Sequence, residues 1–393
     1  MAYTADAIRD LTRRVFGLWQ DNTTDLAPDV MRQSVQAYLD QPRFEHEVER
    51  IFKRLPLALA LSSELGAPDT YKAADVMGVP VLLTRGADGA ARAFLNVCRH
   101  RGSPLCEPGS GSAQRLSCPY HAWSYDTAGE LVGMFGAHTF GDVDRRHLAL
   151  TPLACAERAG FVFACLTPGV DFDIDAFLGE FAPYVAALDL DQWHIFEQRA
   201  LDGPGWKVAW DGYLEGYHQE RLHPKTVGLN TIANLMAHDT WGPHQRIVFG
   251  RKSLPKLADQ PEQEWDLDEH VRLIHSIFPN VSISGILGDH CLVSRLFPGP
   301  TVDSSLTVQT VLCRHEPVTD EQRRAAEQFS ALVLQAVRDE DYWVGFQIQS
   351  ALRSGATSEV LFGRNEPSLQ HYHLAVERYA GTGREQGSEK AAM

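Results

Sequence analysis

The sequence predicts an α+β chain of two domains: a small all-β unit, followed by a larger unit whose antiparallel strands pack against a long helix. Three observations lead there. At 393 residues the chain is long for one hydrophobic core. Between Val79 and Leu166 it is built of short apolar runs (VPVLLTR, RAFLNV, GFVFACL) divided by Gly, Pro and Asp turns. Further on, the strand-like runs QRIVFGR, NVSISGIL, HCLVSRLF and SLTVQTVLCR precede a helical stretch from Asp320 to about Arg353.

Taken in order, Ile8, Leu11, Val15 and Trp19 recur at helical spacing, and Phe44, Val48, Ile51 and Phe52 form a second helical stretch after a Gln-Pro break. Both are expected to lead into the β unit. After Pro168 a helical segment from Asp173 to Leu188 leads to the stretch Trp206 to Leu222, which Pro224 stops. Lys252 to Glu269 is polar and is expected to be a loop or lid. The boundaries so read are a helical extension 1–43, a β domain 44–168, an α+β domain 169–380 and a small, polar, disordered tail 381–393.

Composition narrows the function. Apolar residues make up 44% and charged residues 22%, an ordinary globular balance. A formal charge of -15, from 51 acidic against 36 basic residues, would repel a phosphate backbone or an anionic membrane. The first nineteen residues lack the pattern of a signal peptide, and no run has the ~20 apolar residues that span a bilayer, so a cytoplasmic location is expected. Seven scattered cysteines do not make a secreted disulfide framework.

Two of those cysteines have histidines at metal-ligand spacing. The segment from Asn96 to Tyr125 contains Cys98-x-His100 and, after seventeen intervening residues, Cys118-x-x-His121. Two thiolates and two imidazoles suit tetrahedral zinc, or a 2Fe-2S cluster in which two histidines replace two cysteines on one iron. Zinc pairs usually read C-x2-4-C and H-x3-5-H, whereas here each loop gives one Cys and one His, which favours the cluster. Gly102, Pro104, Pro108, Gly109, Gly111 and Pro119 supply tight turns that aim backbone N–H groups at sulfur.

A second constellation lies in WKVAWDGYLEGYHQERLHP, where His218 and His223 are separated by four residues. Two imidazoles with one distant carboxylate make the facial triad of non-haem Fe(II), which leaves positions open for O2 and substrate. Five residues apart on a regular helix the rings would diverge, and a helix ending at Pro224 could bring the second round.

CRHRG with CPYHAWSYD resembles the Rieske domain of the ring-hydroxylating oxygenase family rather than the respiratory Rieske proteins. The latter clip their loops with a disulfide, and Tyr120 here leaves Cys106 without such a partner. The resemblance runs from about Phe44 to Arg378, through the YH-x4-H segment, FPN (Phe278 to Asn280) and HYHLAVER. It implies a Rieske β-domain and a helix-grip catalytic domain, with a [2Fe-2S] cluster on Cys98, His100, Cys118 and His121 and mononuclear Fe(II) on His218, His223 and Asp341. Asp341, eight residues before Gln349, matches the family's third ligand, and Asp339 is the neighbour that could replace it. Glu215, three residues before His218 and so on the same helical face, would bridge His218 to His121 of a neighbouring subunit. Glu in place of the commoner Asp resembles carnitine-type oxygenases, and Asp211 is followed by Gly212 where Asn is common. Asp211 counts as a candidate catalytic residue, against a plain reading of Asp211 and Glu215 as a solvated face. Trp123, Tyr217 and FPN are read as packing around the sites.

The implied activity is that of a terminal oxygenase component, working as a homotrimer with O2, a small organic substrate and a separate NAD(P)H-dependent reductase, with or without a ferredoxin. The sequence has no G-x-G-x-x-G of its own. An aromatic or other apolar ring is the expected substrate, with VGLNTIANLM and VSISGIL as candidate pocket walls. The alternative is monooxygenation or demethylation of a quaternary ammonium compound held in a Trp/Tyr cage. An electron carrier with a Rieske cluster and no oxygenase activity is the rival from another class.

Overall fold

The computed structural model describes residues 5–265 and 267–382. Three small antiparallel sheets form the first unit. One has the strand order Pro152–Leu153, Ala91–Leu95, Val79–Arg85, Thr70–Val76, Gly109–Ser112, and a second joins Cys155–Arg158, Phe161–Ala164 and Leu57–Leu61. The third, Arg115–Ser117, Ser124–Asp126 and Leu131–Gly133, holds the second Cys/His loop between its first two paired strands.

The second unit is a seven-stranded antiparallel sheet in the order His194–Gly203, Ser305–Cys313, His290–Pro298, Val281–Ser284, Val271–Ile277, His244–Arg251, Thr231–Trp241. Sequence reasoning missed three of its strands: the first and last, whose exposed positions break up the apolar pattern, and the buried Val271–Ile277, which follows directly on the polar stretch expected to be a loop. Leu292 and Val311 on the sheet meet Val333 on the long helix, flanked by Phe196 and Phe329. That helix runs as Asp320–Leu334, a π-helical stretch Gln335–Asp341, and Tyr342–Leu352.

The N-terminal segment departs from expectation. Ala5–Gln20 is a helix, but it buries Ile8, Leu11 and Val15 against Leu235, Ala237 and Val248 of the large sheet rather than leading into the β unit. Its apolar stripe needs a partner, and the edge strand Thr231–Trp241 supplies one. Met31–Ser34 is a strand paired with Glu359–Phe362, so the extension is not wholly helical. The polar stretch after Lys252 is no free lid either: Leu254, Leu257 and Trp265 are buried, and Arg13 grips Glu262 with two bonds of 2.9 and 2.7 Å. Nearly all of the expected tail lies outside the described residues.

The two units share one core, in which Leu57, Leu59, Val81 and Leu83 pack with Trp206, Trp210 and Phe249. The FPN residues belong to this junction rather than to a metal site. Asn280 exchanges bonds of 3.2 and 3.1 Å with the backbone of Ala58, and Tyr372 donates to the Pro279 carbonyl at 2.9 Å. Beside them Arg295, 1% exposed, lies 2.8 Å from Glu64, which also pairs with Lys72. Burial opposes the charged form of Glu64, but Arg295 and Lys72 outweigh it and hold the carboxyl down to about 2. A depressed carboxylate contributes stability above its unfolded value and loses it as pH falls toward its folded one. Glu64→Gln, which leaves Arg295 uncompensated, is expected to cost about 3–5 kcal/mol at neutral pH. The difference from wild type should shrink as pH falls from about 4.5 toward 2; thermal midpoints of the two proteins across that range check it.

Candidate active site

Cys98 and Cys118 are buried, while His100 and His121 are partly exposed, so the sulfur side of the first constellation faces inward and the imidazole side outward. The two rings are 4.6 Å apart, and His100 stacks on Trp123 at 4.7 Å. The Tyr125 hydroxyl lies 3.6 Å from Cys98 Sγ and accepts from Arg99 N at 3.0 Å. Asn96 closes the first loop by accepting from Leu105 and Cys106 N–H and donating to the Cys106 carbonyl. Backbone N–H groups of Tyr120 and His121 reach Cys118 and help to lower its thiol pKa, although burial acts the other way. Ala122 holds a left-handed φ of 55° and Gly102 one of 82°, the turns that fold both loops toward sulfur. Two buried thiols and two outward imidazoles fit the asymmetric ligation of a histidine-ligated [2Fe-2S] cluster. All seven cysteines are free, as the lack of a disulfide clip requires.

The second constellation is assembled by three elements. Trp206–Tyr213 is a helix that stops at Leu214, and a second short helix, Gln219–Leu222, starts one residue after His218. Glu215 and His218 therefore do not share a helical face. The break between the helices turns the Glu215 carboxylate back onto the N–H groups of Tyr217 and His218 and onto His218 Nδ1. Gly228 lets the following turn close over His223: a Cβ there would lie 2.6 Å from the His223 carbonyl oxygen. The third element is the π-helical stretch, whose last residue is Asp341. Such stretches recur at functional sites because they re-aim one turn of side chains.

His218 Nε2 and His223 Nε2 lie 3.2 Å apart. Asp341 Oδ1 is 3.5 Å from the first and 2.8 Å from the second, yet it is buried without hydrogen-bond geometry to any group among the described residues. These three atoms all lie within 4.8 Å of one another. Each Nδ1 is held by a carboxylate, His218 by Glu215 and His223 by Glu340 at 2.6 Å, so each ring turns an Nε2 lone pair inward. Two facing lone pairs and an orphaned carboxylate oxygen repel one another unless a cation sits between them, and this donor set fits iron(II). The electrostatics agree. Burial pulls both imidazole pKa values down, but Glu215 and Asp341 at His218, and Asp341 and Glu340 at His223, outweigh it and the net direction is up.

Asp339 is not brought to the site; it sits on the surface with Arg338 at 2.6 Å. Asp211 accepts from Tyr38 at 2.7 Å and from His373 Nε2 at 2.8 Å, so it is neither a solvated face nor one of the three converging groups. Tyr217 is 63% exposed, beside Glu215 and His218 in the chain. Sequence reasoning missed Glu340, which also accepts from Thr226 at 2.5 Å and Gln335 at 3.1 Å. Its only signal was adjacency to Asp341, and a regular helix would have pointed the two about 100° apart. Glu340→Gln is expected to weaken iron binding about 10–100-fold while leaving the cluster intact, measured by Fe(II) titration of the second site.

Three cavities surround these groups. One of about 60 Å³ touches His218, His223, Asp341, Tyr213, Arg272, Ile274, Leu292 and Val337. A second, about 270 Å³, shares Val227, Arg272, Ser284 and Val333 with it and opens outward past Asn230, Ile286 and Phe329. VGLNTIANLM and VSISGIL do contribute walls here. No Trp lines either cavity among the described residues, and Tyr213 is their one Tyr, so these two cavities hold no Trp/Tyr cage. The third cavity, about 380 Å³, lies on the other side, against Asp211, Glu215, His218, Glu366 and the exposed Ile348 and Leu361.

Residues 56–140 match the Rieske [2Fe-2S] domain, and residues 190–382 match the ring hydroxylating alpha subunit (catalytic domain). The chain is 30% identical over 332 residues to a carnitine monooxygenase oxygenase subunit of Escherichia coli, covering 81% of this chain and 83% of that one. It is 35% identical over 246 residues to a chlorobenzene dioxygenase subunit alpha of a Cupriavidus species, covering 56% and 53%. Its fold is similar to that of a quaternary ammonium Rieske monooxygenase solved with L-carnitine, with a TM-score of 0.75, 23% identity and coverage of 95% and 98%. No helix among the described residues is long and apolar enough to cross a membrane.

Proposed function

The chain belongs to the ring-hydroxylating oxygenase alpha subunits, an O2-using oxidoreductase family with a Rieske [2Fe-2S] domain and a mononuclear-iron catalytic domain, and from that premise we propose that it is a monooxygenase of a small quaternary ammonium compound. The bare electron carrier is excluded by the catalytic domain. The expectation of an aromatic ring substrate yields to the alternative, since a relative matched over 81% of the chain is named for carnitine, and Glu215 in place of the commoner Asp resembles the carnitine-type variant. The apolar walls Ile274, Leu292 and Val337 keep an aromatic ring as the second reading.

In this proposal Cys98, His100, Cys118 and His121 hold the cluster, and His218, His223 and Asp341 hold iron(II). The observation that carries it is the convergence of two Nε2 atoms and one orphaned carboxylate oxygen. Bound iron would supply one-electron chemistry with O2. The protein's own part is to fix ring orientation through Glu215 and Glu340 and to hold substrate in the enclosed space beside Tyr213 and Ile274. The cavity beside Glu215, rimmed by exposed Ile348 and Leu361 with exposed Tyr217 nearby, is where a second copy of this chain would bring its His121, which makes the trimer the working unit. A separate NAD(P)H-dependent reductase, with or without a ferredoxin, supplies electrons. The test is product analysis with purified protein, a reductase, NADH and either L-carnitine or an aromatic hydrocarbon. Oxidised product from L-carnitine or another betaine supports the proposal; turnover of aromatic hydrocarbons alone overturns it in favour of the second reading.

A further inference from the structure

Arg272 lies on the strand Val271–Ile277 and lines both the cavity at the candidate iron ligands and the larger one leading outward. Among the described residues it makes no hydrogen bond or ion pair, unlike Arg246, Arg295 and Arg199 on the same sheet. Burial, and then Arg251 beside it, push its guanidinium down to about 10 while Asp341 acts in the opposite direction, so it stays charged at neutral pH. A guanidinium withdrawn from water and left without a counter-charge is costly, and sites tolerate it where a ligand supplies the anion. The charged groups that share its cavities are Arg251 and Asp289 toward the mouth, beside His290, whose imidazole burial pushes down toward the neutral form, and Glu215 and Asp341 within. Asp289 lines only the outer cavity, and Asp341 turns its orphaned oxygen toward the histidines. Glu215 also lines the inner cavity, but its oxygens are taken by the Tyr217 and His218 N–H groups and by His218 Nδ1. Gln219 and the three converging groups apart, the other lining side chains are apolar or hydroxylic, among them Ile274, Leu292, Val333, Val337 and Ser284.

We propose that Arg272 is the specificity-determining residue of this site and receives the carboxylate of an acidic or zwitterionic substrate. It rests on the reading of the His218/His223/Asp341 group as the oxygenase site and deepens it. Because one small cavity touches both Arg272 and the three converging groups, the carboxylate and the oxidised carbon belong to one short molecule. A guanidinium presents paired donors that match a carboxylate in geometry and charge, which a neutral hydrocarbon cannot use. Binding then excludes uncharged aromatics by leaving Arg272 unpaired, the stronger form of discrimination.

Equilibrium binding to the iron-loaded protein, by calorimetry, tests this with matched pairs: L-carnitine and glycine betaine against their methyl esters, and benzoate against methyl benzoate. The wild type is expected to bind at least one acid about 10–100-fold more tightly than its ester. Arg272→Gln should abolish that preference, and Arg272→Lys should restore part of it, with cluster absorbance and thermal midpoint unchanged. Equal binding of acid and ester by the wild type overturns the proposal without any variant, as does a preference that survives in Arg272→Gln, or no binding of any acid. If benzoate alone shows the Arg272-dependent preference, the quaternary ammonium reading falls and Arg272 keeps its role. If the betaines bind without dependence on Arg272, the reverse holds.

Discussion

His218→Ala is expected to leave the protein with about two irons and two acid-labile sulfides per chain, where the wild type holds about three irons and two sulfides. The Rieske EPR signal of the reduced protein should persist unchanged, because Cys98, His100, Cys118 and His121 lie on loops of the other unit and share no hydrogen bond with His218. Substrate-dependent O2 consumption should fall by at least about 100-fold, since even loss of a partner that only orients a ligand costs about 10–100-fold. The physical reason is specific to this arrangement. His218 supplies one of three converging atoms, and its removal leaves His223 Nε2 and Asp341 Oδ1, 2.8 Å apart, free to satisfy each other. A protein that kept its third iron after this substitution would move the iron site elsewhere.

Glu215→Gln should give the opposite separation. The amide is isosteric and still reaches the N–H groups of Tyr217 and His218, so the turn between the two helices should persist; iron affinity should fall as for Glu340→Gln, and iron should return to near three per chain at saturating Fe(II). It no longer offers a charged acceptor to His218 Nδ1, nor a bridge to a neighbouring copy. Coupled turnover is then expected to drop about 10–100-fold while dithionite still reduces the cluster. Iron content and turnover measured on one preparation distinguish this from plain loss of metal. Co-expression offers a second check: subunits carrying His218→Ala, mixed with subunits carrying Cys118→Ser, should regain part of the activity if electrons cross between copies. Silence in the mixed enzyme, with both sites correctly loaded, would confine transfer to one chain.

The first site was readable because its chemistry is local. Four candidate ligands on two loops, with the glycines and prolines that bend them, lie within 24 residues, counted from Cys98 to His121. The mononuclear site was half readable. His218 and His223 are neighbours in sequence, but Asp341 and the carboxylate on His223 come from over 110 residues away, and the separation of Asp339 from Asp341 depends on where a helix changes its winding. A regular helix gives no sign of that change, since π-helical turns arise from packing rather than propensity. FPN was misplaced for a related reason. An aromatic and a proline in a family-like segment look like site packing, whereas Asn280 ties one unit to the other.

What the sequence by itself determined is the order of the parts: a β unit carrying the Cys/His loops, then a segment carrying two histidines, then strands and a long helix carrying an acid. Period-2 and period-3.6 patterning and turn residues fix these locally. Only the tertiary structure decided which acid converges on the histidines and which carboxylates orient them. It alone placed the N-terminal helix against the large sheet, and it alone left Arg272 unpaired in the cavity. Each of those depends on distances between residues far apart in the chain, set by how the sheet and the long helix close on one another, and no local pattern encodes that closure.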